Sequence, residues 1–150
     1  MRALKINESA IPVRFNEVDS MQVAHHSQYF IYMEVARLQF AQNVLGIGYA
    51  DFVTWGIRVP VRRCHCEYLY PARFGDTVVV QVTLKPSETA SLHLRYRMFR
   101  EQDRRLLARG ETVNVFIDED GKLLVRTPEI LRERIARAIQ DHPDVLAAER

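Results

Sequence analysis

The amino-acid sequence predicts an α+β fold in which a curved, five-stranded antiparallel sheet wraps one long buried helix, with a further helix at the C-terminal end. Three observations carry this expectation. Residues 27–45 form a helical pattern that is apolar on most sides, four later segments carry strand character, and short polar breaks separate the last of these strands.

In chain order, residues 10–15 read as a short strand, and residues 16–26 as a polar loop without sustained periodicity. The long helix starts at Ser27, with Ser27 or His26 placed to cap it, and Gly46 stops it. Along it Tyr29, Phe30, Tyr32, Met33, Val35, Ala36, Leu38, Phe40, Ala41, Val44 and Leu45 leave only a narrow polar stripe. Such a helix must be wrapped on most sides.

The wrapping comes from residues 58–69, 77–85, 91–100 and 106–118, all with strand character. Val78, Val80, Val82 and Leu84 alternate with Thr77, Val79, Gln81 and Thr83, while Leu92, Leu94, Tyr96 and Met98 alternate with His93, Arg95 and Arg97. Polar breaks at 86–89, 101–104 and 118–121 favour hairpins over helical crossovers. Asp118, Asp120 and Gly121 read as a hairpin turn, because the later ligands of a calcium loop do not follow. A last, amphipathic helix begins with Thr127 as cap and Pro128 in its first position, and shows Leu131, Ile135, Ala138 and Ile139 along one side.

The chain of 150 residues suits one domain, spanning 1–150, and its 47% hydrophobic and 27% charged residues are those of a globular protein. No apolar run approaches the roughly 20 residues that span a bilayer, and residues 1–10 lack the apolar core of a secretory signal, so a cytoplasmic protein is expected. A net charge of +2 is too small to suggest a nucleic-acid partner. Cys64 and Cys66 lie two apart in a strand, where a disulfide would be strained and a zinc site would want more ligands, so they read as reduced thiols, with no metal and no cofactor expected. A sheet with open edges favours a homo-oligomer, a dimer or a homotetramer.

The loop 14–29 is where chemistry is expected. It delivers Asp19 to the start of a buried helix, whose unpaired N–H groups and positive dipole end suit a developing oxyanion. Asp19 is therefore a candidate base or nucleophile, with His26 or nearby N–H groups polarising a carbonyl, provided its side chain faces a cavity and is not plugged into its own turn. Glu34 and Arg37 stand at the i,i+3 spacing of a helix ion pair. Trp55 and Tyr49 read as core ahead of pocket lining. Arg62, Arg63, Arg73, Arg95, Arg97 and Arg126 are candidates to meet phosphates.

Arg14, Phe15, Asp19, Val23, His26 and Tyr29, then Glu34, Ala36 and Arg37, recur in order as a loop-and-helix signature, followed by Gly56, Pro60-Val61, Tyr68, Pro71-Ala72, Phe74-Gly75-Asp76 and Leu107-Ala108-Arg109-Gly110. Over residues 10–135 the sequence resembles the hotdog-fold thioesterases, in particular the 4-hydroxybenzoyl-CoA thioesterase-like group that includes the Tol-Pal-associated thioesterases. The resemblance implies the hotdog fold and hydrolysis of a small aromatic or short-to-medium acyl-CoA. It implies that Asp19 attacks the thioester carbonyl or activates water, that N–H groups at the helix start hold the carbonyl oxygen, and that His26 positions the substrate. Of the matching residues, Val23, Tyr29 and Gly56 are expected at the substrate, together with Arg62 from the candidate phosphate-binding arginines. The sequence departs from the pattern at Gln22, where a glycine is common, and an altered loop backbone is expected there. Two rival readings are a non-catalytic acyl-CoA-binding protein and an acyl-thioester hydratase on the same fold. The second is disfavoured because His25 and His26 lack the His-Phe-Pro context of fatty-acid dehydratases.

Overall fold

A computed structural model describes residues 3–148. The chain runs through β1 (Glu8–Pro12), α1 (Gln28–Asn43), α2 (Tyr49–Trp55), β2 (Val61–Tyr68), β3 (Thr77–Lys85), β4 (Ser91–Arg100), β5 (Leu106–Val115) and α3 (Glu129–Asp141), with 3-10 turns at Phe15–Glu17 and Pro143–Val145. The strands form one antiparallel sheet in the order β1-β3-β4-β5-β2.

Strand alternation decides which face is buried. Val80 pairs with Met98, Val82 with Tyr96 and Leu84 with Leu94, and the same rows continue into β5 as Tyr96 with Gly110 and Leu94 with Thr112. This face packs against α1, whose Tyr29, Tyr32, Met33, Ala36 and Phe40 are buried at helical spacing. Gly110 sets how closely the two layers approach, because a Cβ there would lie 2.3 Å from Met33 Cε. The five-strand wrap around α1 is the architecture the sequence predicts.

Burial of α1 is less complete than its composition suggests. Ile31 is 47% and Leu38 58% exposed, and Glu34 between them is exposed too, so one face is left uncovered. Ser27 takes the cap position without a side-chain cap bond; its hydroxyl meets His25 Nδ1 at 2.7 Å. At the other end Gly46 adopts φ 67° and the Ile47 N–H returns to the Ala41 carbonyl at 2.8 Å, closing the last turn as expected of a glycine there. Arg134 Nη1 of α3 adds bonds to the Leu45 and Gly46 carbonyls, a cation on the negative end of α1.

Several boundaries differ from expectation. The first strand lies at Glu8–Pro12, since beyond Pro12 the chain leaves the β3 ladder and turns into the 3-10 segment. β2 covers Val61–Tyr68, with a bulge at Val61/Arg63 that takes Arg62 out of the pairing register. β5 ends at Val115, because Ile117 instead bridges Arg58 and Leu123. Pro128 is the cap of α3 and extended, not its first helical residue. The helix α2 was not expected; its start is fixed by Asp51 Oδ2 accepting the Gly48 N–H at 2.8 Å. The turn at Asp118 is as expected: its Oδ1 accepts the N–H groups of Asp120 and Lys122. β2 and β1 are the sheet edges, and β2 is almost wholly exposed. Among the described residues no helix is long and apolar enough to cross a membrane.

Candidate active site

The loop before α1 is a tight hairpin. The Asp19 N–H donates to the Val23 carbonyl at 2.9 Å, the Gln22 N–H returns to the Asp19 carbonyl at 2.9 Å, and Val18 bridges Ala24. Gln22 sits at φ 64°, the left-handed region that glycine enters most cheaply. The departure from glycine therefore does not remove the bend; glutamine adopts it.

Six hydrogen bonds brace this hairpin and tie it to the body of the fold. Glu17 Oε1 accepts the Arg14 N–H at 2.8 Å and the Tyr32 hydroxyl at 2.9 Å, while the Glu17 carbonyl accepts the His25 N–H. The Ala24 N–H donates to the Ala72 carbonyl, and the Tyr29 hydroxyl accepts the Ala72 N–H at 3.1 Å. The Tyr68 hydroxyl of β2 donates to the His26 carbonyl at 2.9 Å. Burial, then the bonded Glu17 carboxylate, push the Tyr32 phenol well above its usual range; burial, then the neighbouring Cys66, push Tyr68 up to about 12. Both hydroxyls thus remain donors at neutral pH.

At the start of α1 the Gln28 N–H reaches the His25 carbonyl, and the Ser27 N–H reaches His25 Nδ1. The N–H groups of His26 and Tyr29 find no backbone acceptor among the described residues. Two uncommitted donors at the positive end of a helix can hold an anionic oxygen. Asp19 Oδ1 accepts the Met21 N–H at 2.8 Å, an Asx turn, and its Oδ2 has no hydrogen-bond partner among the described residues. One carboxylate oxygen is thus tied into its own turn, and within a single chain Asp19 lines neither of the cavities described below.

The other expected site residues fall as follows. The His26 ring is exposed and stacks on His25 at 4.1 Å between centroids. Val23 is half-buried and bridges Arg73. Tyr29 is 3% exposed, so its side chain supports the 72–73 segment from within the core. Gly56 caps α2 at φ 65° and lines a cleft of about 710 Å³ between α1, α2 and the approach to β2. Arg62 is exposed on β2. The expected Glu34–Arg37 ion pair does not form; Arg37 Nη1 donates to the Tyr96 hydroxyl at 3.3 Å, which is bonded to Thr112. Tyr49 is 82% exposed at the cleft and not core, whereas Trp55 is half-buried against Phe52.

A second cleft of about 610 Å³ lies on the outer face of the sheet and gathers Arg95, Arg97 and Arg109. Arg95 pairs with Glu111 and Arg109 with Glu67, while Arg97 forms no ion pair among the described residues. Arg63, Arg73 and Arg126 are exposed. Cys64 and Cys66 are free thiols, and burial pushes Cys66 up to about 11. Among the described residues no three His, Cys, Asp or Glu side chains gather as metal ligands. The role of Glu17 as an anchor was not read from the sequence, although a glutamate three residues after Arg14 is the spacing of a cap.

Comparison with known proteins bears on this geometry. The thioesterase-like superfamily matches residues 13–135 of the chain. A hypothetical protein of Thermus thermophilus is 33% identical, with a TM-score of 0.79, the alignment covering 87% of this chain and 98% of that one. The DHNA-CoA thioesterase of Staphylococcus aureus is 26% identical, with a TM-score of 0.81 and coverage of 95% and 96%. A thioesterase of Thermus thermophilus, solved in complex with coenzyme A and zinc, is 25% identical, with a TM-score of 0.73 and coverage of 87% and 92%.

Proposed function

The chain belongs to the thioesterase-like superfamily and is a thioester hydrolase of the hotdog fold, and from that premise we propose that it hydrolyses an acyl-CoA at the start of α1 with Asp19 as its working carboxylate. The observation that carries this reading is the pair of uncommitted N–H groups, His26 and Tyr29, at the foot of the hairpin that presents Asp19.

In this reading the thioester carbonyl oxygen lies against those N–H groups, which stabilise the negative charge that develops when the carbon becomes tetrahedral. Asp19 then acts in one of two ways. As a base it takes a proton from water, the hydroxide adds to the carbonyl carbon, and the C–S bond breaks to release the thiol and the acid. As a nucleophile it adds directly, expels the thiolate, and the resulting anhydride is hydrolysed. The Asx bond from Met21 holds Oδ1 and leaves Oδ2 for either task. His26 positions the substrate, with Val23, Gly56 and Arg62 along it, and Tyr29 acts through Ala72 by fixing the hairpin.

Within a single chain Asp19 lines neither of the two clefts described, and we propose that a second copy walls the site. The uncovered edge of β2, with Val61, Tyr68, Leu69 and Tyr70 all at least 40% exposed, lies beside the hairpin through Tyr68 and supports that arrangement. A homodimer, or a homotetramer built from it, is the form expected. The whole chain, 1–150, acts as one domain in this reading. A cytoplasmic location suits a coenzyme A substrate and two free thiols. The acyl group is small and aromatic or short to medium in length, a range supported by the similarity to a DHNA-CoA thioesterase.

The test is release of free thiol from a panel of aromatic, short-chain and long-chain acyl-CoAs, with hydration of an enoyl-CoA followed in parallel. Release from at least one member is expected, without hydration. Tight binding with no release from any member would replace this reading with a non-catalytic acyl-CoA-binding protein, and hydration without release with a hydratase.

A further inference from the structure

His25 supplies more to the start of α1 than its main chain. The Gln28 N–H donates to the His25 carbonyl at 2.8 Å, and the Phe30 N–H to the Ser27 carbonyl at 3.2 Å. The Ser27 N–H, which meets no main-chain oxygen among the described residues, donates instead to His25 Nδ1 at 3.2 Å. What remains uncommitted is the N–H of His26 and that of Tyr29, the pair set against a thioester oxygen above. One residue thus engages two donors, by its carbonyl and by its ring, and so decides which N–H groups stay open.

These contacts also assign the ring's proton. A main-chain N–H can only donate, so Nδ1 must present a lone pair, and the Ser27 hydroxyl, 2.7 Å from the same nitrogen, then donates to it as well. The neutral ring therefore carries its hydrogen on Nε2. With Nδ1 engaged and Nε2 protonated, the imidazole has no free lone pair to take a proton from water, which leaves that task to Asp19. The same ring is the shelf for His26, 4.1 Å away between centroids. His25 is exposed, so no core depends on these contacts.

We infer that His25 is a positioning residue: as the Nε2–H tautomer it caps Ser27, and so aims the His26 and Tyr29 N–H groups at the thioester oxygen. The inference rests on the acyl-CoA reading above and goes further, by naming the group that orients the oxyanion donors. Loss of the ring acceptor frees the Ser27 N–H and loosens the turn that carries the other two. The charge that forms in the transition state is then held less well, and the loss falls on kcat.

Two variants separate the acceptor from the ring. His25→Asn places Oδ1 where Nδ1 stood, the same number of bonds from Cβ, and keeps an acceptor for Ser27, whereas His25→Ala keeps none. Both lose the stack on His26, so a change in KM that comes from the ring is shared by the two. With benzoyl-CoA and hexanoyl-CoA as probes, His25→Ala is expected to lower kcat about tenfold and His25→Asn to stay within about twofold of the wild type, each with an unchanged circular dichroism spectrum. An unchanged kcat in His25→Ala, or an equal loss in both variants, would overturn the role of the ring acceptor. Proton–nitrogen correlation spectra of the wild-type imidazoles are expected to show neutral His25 protonated at Nε2, and a neutral ring protonated at Nδ1 would overturn the cap. That readout needs no turnover, so a wild type that shows the Nε2–H tautomer but releases no thiol refutes the hydrolytic reading and not the cap.

Discussion

That Asp19 lies in a loop just ahead of α1 was legible in the sequence, because a polar stretch without periodicity runs there into an apolar helix. The devices that hold it were less legible. Glu17 binds the Arg14 N–H and the Tyr32 hydroxyl from across the loop, and nothing in the local pattern links residue 17 to residue 32. Gln22 is a residue whose sequence identity misleads, since it adopts the backbone of the glycine it replaces. Gln22→Gly is therefore expected to raise stability by about 0.5–1 kcal/mol in urea unfolding, and a clear loss would show that the glutamine side chain does more than tolerate the bend. The thiols also differ. Cys66, pushed up to about 11 by burial, is almost fully protonated at pH 8, whereas Cys64 is exposed. Iodoacetamide at neutral to mildly alkaline pH is expected to label Cys64 first, with the rate at Cys66 climbing about tenfold per pH unit until it ionises; rapid labelling of Cys66 at pH 7 would contradict this.

Among the elements, long ones with a clear period were read well, and β3 and β4 match their expected limits. The helix α2 has 7 residues, about two turns, too few to show a period against its surroundings. Composition overstated the burial of α1, because apolar residues on an uncovered face cannot be told from core residues until the sheet is in place; Ile31 and Leu38 are the examples. Layer spacing hinges on Gly110, which in sequence is one glycine inside a strand. Gly110→Ala would place a methyl group on Met33 and near the His65 carbonyl, and because Met33 is flexible the expected cost is about 1–3 kcal/mol, measurable as a lowered Tm; an unchanged Tm would mean that the layers are less tightly set than the geometry indicates.

For the whole molecule, the shifted protons set a direction for alkaline stability. Cys66, Tyr29, Tyr32, Tyr68 and Tyr96 all ionise later in the folded chain than at their ordinary values of 9.0 for the thiol and 10.0 for the phenols, chiefly through burial. Above pH 9 the unfolded chain loses protons that the folded chain keeps, so the stability they contribute is complete below that point and declines as pH rises through 11 and 12. The urea midpoint is expected to fall between about pH 8.5 and 10.5, and a rise over that interval would contradict the burial described. What the sequence of one chain could not show is how the site closes. The open β2 edge, and an Asp19 that lines neither described cleft, are what support the second copy in the proposal.

The most direct measurement is thiol release by Asp19→Asn. Asparagine keeps the oxygen that accepts the Met21 N–H, so the hairpin survives while the charge is lost. With an unchanged circular dichroism spectrum and Tm, kcat/KM is expected to fall by roughly 10²-fold or more. A folded Asp19→Asn protein that turns over acyl-CoA at the wild-type rate would contradict the assignment.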